Sequence, residues 1–130
     1  FEKGALTPKA LVAKNKKPTL IYVFLPLCGS CKNQIKFLSL FKEQYNFIGL
    51  MSQESEDGKI WLESLTSPFE KNVAFIPSAA KILQELKINK IPNLLLVDKK
   101  GDIKYSYSGM ITINSWEKII QPKLNETNLQ

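Results

Sequence analysis

The chemistry available to this chain rests on two side chains, Cys28 and Cys31. They are its only cysteines and are separated by Gly29 and Ser30. The thiolate is the nucleophilic form of cysteine, and a free thiol titrates near about 8.5. Two thiols at this spacing close into a small ring and reopen by exchange with a partner disulfide. The pair follows an apolar run, TLIYVFL at 19–25, and precedes a segment of helical periodicity. Cysteines at such a junction meet unpaired backbone N–H groups and the positive end of the helix dipole, both of which stabilise an anion. Cys28, just before the first turn, is the expected exposed nucleophile. Cys31, within that turn, is the expected buried resolving thiol. Gly29 leaves room for a partner's backbone, and Ser30 offers a hydroxyl that can donate to a thiolate.

Other chemistries are thinned out by composition. The chain has no histidine, which removes His-based triads, Cys–His nucleophile pairs and most zinc sites. Two thiolates cannot fill a four-ligand structural zinc site, so a metal reading needs a site shared by two chains. A plain pair of structural cysteines is the other alternative. The formal charge is +6, and every basic residue is a lysine. Without arginine there is no planar fork for phosphate or guanine, so no nucleic-acid partner is expected. A solvated lysine surface still favours acidic partners or an anionic membrane face.

The elements that must position the cysteines follow from periodicity. Residues 19–25 are apolar on both faces, as in a central strand covered on both sides, and Pro26 ends the run. A helix is expected over 30–44, with Ile35, Leu38 and Phe41 as its apolar stripe, widened by Phe37 and Leu40. Residues 46–51 form a second strand. A polar acidic loop follows at 52–58, then a helix over 59–65 with Trp61, Leu62 and Leu65 inward. Residues 66–77 read as irregular, with a short extended piece at 73–76. Ser78 caps an amphipathic helix over 78–87 that carries Ala79, Ile82, Leu83 and Leu86. Residues 93–97 are a fully apolar strand, and Asp98-Lys99-Lys100-Gly101 turns into a half-exposed antiparallel strand at 103–108. Asn114-Ser115-Trp116-Glu117 reads as a capping box for a last helix, with Trp116, Ile119 and Ile120 buried and Pro122 ending or kinking it. With 44% hydrophobic and 23% charged residues, the chain suits one soluble domain at 18–130 behind an N-terminal arm at 1–17. No apolar run approaches the roughly 18 residues of a membrane span. The chain starts at Phe1, so a removed leader or anchor is an open expectation.

Two motifs carry a family resemblance: LPLCGSC at 25–31 and KIPNLLLVDKKGDI at 90–103. With them the chain resembles the thioredoxin superfamily over nearly its whole length. The resemblance implies an α/β, thioredoxin-like fold, a central mixed β-sheet flanked by helices on both faces. It implies that the Ile91–Pro92 bond is cis and sits opposite the cysteines, where the Ile91 backbone binds substrate as a short added strand. Leu27 stands where thioredoxins usually carry Trp, Gly29-Ser30 where they carry Gly-Pro, and Tyr22 where cytoplasmic members bury an Asp. These departures set the chain apart from general thioredoxins, and the long insertion at 53–77 resembles the extracytoplasmic TlpA-like members, including those that reduce the haem-site cysteines of apocytochrome c. In that group an acidic residue follows the second strand. Glu54 is the best match, as a proton relay to Cys31, with Glu56 and Asp57 close enough in sequence to stand in for it.

The expected activity is therefore thiol–disulfide exchange by the Cys28–Cys31 couple, in the reducing direction, outside the bacterial cytoplasm. The substrate-binding set is Leu27, Gly29, Ser30, Ile91 and Pro92, and the catalytic set is Cys28, Cys31 and Glu54. No bound cofactor or metal is implied, because the couple itself carries two electrons. Expected partners are proteins bearing cysteine pairs and a membrane or soluble protein that recharges the dithiol, around a monomer. The rivals are a disulfide-forming oxidase or isomerase and a non-enzymatic binding or assembly module with a structural disulfide.

Overall fold

The computed structural model describes residues 17–25, 27–41, 43–52, 56–57, 60, 73–76, 80–85 and 87–129. The expected N-terminal arm lies almost wholly outside them, as does nearly all of the helix expected at 59–65, with Trp61. Within them a five-stranded sheet runs in the order β3-β2-β1-β4-β5. Its strands are β1 (Thr19–Phe24), β2 (Asn46–Met51), β3 (Val73–Ile76), β4 (Asn93–Val97) and β5 (Ile103–Ser108). β2 lies parallel to β1 and β3 parallel to β2, whereas β4 is antiparallel to β1 and β5 to β4. The extended piece at 73–76 is thus a paired strand. The apolar identity of β1 follows from its place in the middle, where every one of its six residues is buried.

The two faces of the sheet carry separate cores. Leu20, Tyr22 and Phe24 of β1 meet Cys31, Ile35 and Leu38 of helix α1 (Gly29–Ser39) together with Trp116, Ile120 and Leu124 near the C-terminus. Ile21 and Val23 face the other way, toward Ile48, Leu50, Leu95, Val97 and Leu83 of helix α2 (Ala80–Glu85). A mixed sheet with helices on both faces is therefore the architecture.

Helix α1 ends at Ser39, five residues before the expected 44. Its stripe is accordingly Cys31, Ile35 and Leu38, with Phe37 and Phe41 packed against the edge of the core. Leu40 points into solvent at 75% exposure, because its helical phase puts it on the face opposite that stripe. The tight connection from β4 to β5 is built on Asp98, whose Oδ1 accepts the backbone N–H groups of Lys100 and Asp102, both at 2.9 Å. Burial pushes this carboxyl upward. The two N–H donors and the ammonium of Lys104, 3.6 Å from Oδ2, outweigh that and hold it below the usual carboxylate range. Gly101 takes the positive φ of 92° that closes the turn.

The last helix, α3, begins two residues earlier than its sequence suggests. Thr112 is the N-cap and Ser115 its reciprocal partner, because Ser115 Oγ reaches the Thr112 N–H at 2.8 Å and Thr112 Oγ1 accepts the Ser115 N–H at 3.0 Å. α3 comprises Ile113–Ser115, a π-helical turn at Trp116–Ile120 and a regular stretch at Gln121–Leu129. Pro122 neither ends it nor breaks it. The wider turn just before it reroutes the Gln121 N–H to the Trp116 carbonyl, where the missing proline donor is absorbed. That turn keeps Trp116 and Ile120 buried and leaves Ile119, expected inward, 37% exposed.

Candidate active site

The strand-to-helix corner places the cysteines as their spacing suggests. Cys28 is the N-cap of α1, in extended backbone, and its Sγ accepts the Cys31 N–H at 3.1 Å. The two are joined as a disulfide with Cα atoms 5.1 Å apart. Cys31 is buried to 1% exposure in the core, while Cys28 is half-buried at the surface. A partner disulfide therefore has access to one sulfur and not the other. Once reduced, Cys28 lies where the first-turn N–H groups and the dipole of an 11-residue helix favour its anion. Ser30 Oγ lies 3.5 Å from the Cys28 sulfur, and in the disulfide only the hydroxyl can donate. Gly29 sits in the open: a Cβ there would meet nothing within 4 Å, so no neighbour among the described residues demands glycine. Leu27, 56% exposed, takes a left-handed φ of 59° immediately before Cys28.

The second half of the site comes from the far end of the sequence. The Ile91–Pro92 peptide is cis. Pro92 stands one residue beyond the Val23–Asn93 pair of β1 and β4, at the same end of the sheet as the cysteines. Asn93 is buried and fastens this end of β4 to β5. Its Nδ2 donates to Ser108 Oγ at 3.3 Å, and its Oδ1 accepts Ser106 Oγ at 3.1 Å. The Pro92 carbonyl accepts the Gly109 N–H at 2.9 Å.

Sequence reasoning missed a third contributor. Gln34, one turn after Cys31, grips the backbone of Ile111 with both ends of its amide: Nε2 donates to the Ile111 carbonyl and Oε1 accepts the Ile111 N–H, each at 2.7 Å. The sequence does hold a signal. Gln34 is a polar residue at a position flanked by the buried stripe of Cys31, Ile35 and Leu38, where a helix otherwise places apolar side chains.

Tyr22, at the position where cytoplasmic thioredoxins bury an Asp, is fully buried, and its hydroxyl has no hydrogen-bond partner among the described residues. Burial drives its phenol far above the usual range, so it stays neutral near pH 7. Glu54 lies outside the described residues. Among the described residues no group of three or more His, Cys, Asp and Glu could hold a metal ion, and no helix is long and apolar enough to cross a membrane.

No family model matches the chain. Curated relatives do. It is 30% identical over 115 residues to the thiol:disulfide interchange protein DsbE of Haemophilus influenzae, covering 85% of this chain and 62% of that protein. It is 27% identical over 120 residues to the protein of the same name in Tatumella citrea, covering 91% of this chain and 63% of the relative. The chain thus spans a little over three-fifths of these relatives. In fold it is similar to a secreted Mycobacterium tuberculosis disulfide oxidoreductase described as homologous to E. coli DsbE, with a TM-score of 0.64 at 13% identity over 97% of this chain and 87% of that one. With a cysteine pair capping the helix after β1 and a cis proline at the same end of the sheet, the chain has a thioredoxin-like fold and is similar to the DsbE thiol:disulfide interchange proteins.

Proposed function

We propose that this chain is a protein thiol–disulfide oxidoreductase that works as a reductant outside the bacterial cytoplasm. The observation that carries the reading is the asymmetry of the couple: an accessible Cys28 at a helix N-terminus, bonded to a buried Cys31. In the forward reaction the Cys28 thiolate attacks one sulfur of a substrate disulfide. An S–S bond forms between them and the substrate's other sulfur leaves as a thiolate. The Cys31 thiolate then attacks Cys28 Sγ, closing the intramolecular disulfide and expelling the second substrate thiolate. The substrate gains two electrons and two protons, and the chain is left oxidised, to be recharged by a membrane or soluble dithiol donor. Gly29, Ser30, Leu27 and the Ile91–Pro92 backbone would hold the substrate segment, and the open space over Gly29 supports this. The resemblance favours cysteine pairs of apocytochrome c as substrates and a monomeric enzyme.

The test is the reduction potential of the Cys28–Cys31 couple in a graded thiol–disulfide buffer, read by alkylation and mass. A value near or below about −270 mV is expected of a reductant. A value near about −120 mV would make the chain an oxidant, and the lack of any reversible two-electron transition would leave a structural disulfide. Glu54 is proposed as the carboxylate that takes the Cys31 proton. Glu54→Gln should shift the pH dependence of exchange, and an unchanged profile removes the residue from the mechanism.

A further inference from the structure

The two halves of the site are far apart in sequence, and one short segment joins them. Gly109 donates to the carbonyl of the cis proline, and two residues later Ile111 is held by Gln34 of the cysteine-bearing helix. Gly109 adopts a φ of 96°, which L side chains rarely take, so the segment has the geometry to make both contacts within three residues. The Gln34 amide can bind in one sense only. Oε1 faces an N–H and Nε2 faces a C=O, so reversing the amide would oppose like groups at both positions. Ile111 itself is anchored in the core at 4% exposure. A displacement of α1 is therefore passed through Gln34 to residues 109–111 and on to Pro92.

We propose that Gln34 is a positioning residue that sets the register between the Cys28–Cys31 couple and the Pro92 segment, and so governs how a polypeptide substrate is held across them. The inference rests on the oxidoreductase reading above and deepens it. A small disulfide needs only Cys28 and its thiolate. A polypeptide disulfide needs the couple and the Pro92 segment at one fixed separation. Gln34→Met keeps the length and apolar bulk of the side chain but deletes both hydrogen bonds. Gln34→Glu keeps the acceptor toward the Ile111 N–H and, when ionised, loses the donor toward its carbonyl.

The experiment compares wild type, Gln34→Met and Gln34→Glu on a disulfide-bonded peptide and on glutathione disulfide. Amide hydrogen exchange is followed at Gly109 and Ile111. For Gln34→Met the KM for the peptide should rise about tenfold with kcat within about twofold, while the glutathione disulfide rate constant stays unchanged. Gly109 should lose protection along with Ile111, although Gln34 does not touch it. Gln34→Glu, whose ionised carboxylate sets an acceptor against the Ile111 carbonyl, should raise the peptide KM at least as much. Peptide and glutathione disulfide slowed alike would mean that Gln34 acts on the cysteines or on the fold at large. An unchanged peptide KM would show the clasp to be idle. Either outcome overturns the proposal. A wild-type chain that exchanges with neither disulfide sinks the oxidoreductase reading instead, and Gly109 protection in Gln34→Met then decides alone whether the clasp couples the two segments.

Discussion

Cys31→Ser is expected to stop the reaction halfway: the reduced variant should accumulate a stable mixed disulfide with a peptide substrate, one substrate per chain, and then turn over no further. The hydroxyl at 31 cannot resolve the bond that Cys28 has made. Cys28→Ser should react at the uncatalysed background, because the remaining thiol is buried to 1% exposure. The reduced wild-type protein adds a third arm. Iodoacetamide should label Cys28 below neutral pH, where a free thiol of pKa about 8.5 is largely protonated, and leave Cys31 unlabelled. The asymmetry comes from the corner geometry. The N-cap position gives Cys28 the Cys31 N–H as a donor and the dipole behind it. Trapping through Cys28→Ser rather than Cys31→Ser would reverse the assignment of roles, and equal labelling of both thiols would deny it.

The second large effect is on stability. Trp116→Ala should cost about 3–5 kcal/mol, in the range for removing a buried aromatic side chain. That is a substantial share of the roughly 5–15 kcal/mol a domain has. The Trp116 ring stacks on Phe41 with centroids 4.5 Å apart and meets Phe37 edge-on at 5.9 Å, which ties α3 to the C-terminal end of α1. Its indole N–H is buried without a partner among the described residues, so Trp116→Phe trades lost contact area against removal of an unsatisfied donor and should cost much less. Urea titration of the oxidised proteins measures both. A cost below about 1 kcal/mol for the alanine variant would mean that α3 is held by something other than this cluster.

Much of this arrangement was legible in the chain. β1, β2, β4 and β5 announce themselves because a strand buried on both faces is continuously apolar and one buried on a single face alternates. The cysteine couple and Pro92 were legible because their residue types are rare and their flanks specific. What escaped the sequence was set by tertiary contacts. The exception is local: Thr112 rather than Asn114 caps α3 because its side chain and that of Ser115 satisfy each other's backbone N–H groups. α1 stops at Ser39 although the sequence beyond it still looks helical. Gln34 passed unread: its place beside the buried stripe is a signal, but its partner is the backbone of Ile111, 77 residues away, which no side-chain pattern names.

Leu27 carries a consequence for how this protein could diversify. A residue at φ 59° is confined before any substrate is met. Glycine and asparagine reach that backbone shape readily, unbranched side chains reach it at a cost, and valine, isoleucine and threonine scarcely at all. A lineage or a library varying this position is therefore filtered twice, first by the backbone and only then by recognition. The amino acids open to selection beside the nucleophile are fewer than its exposure suggests.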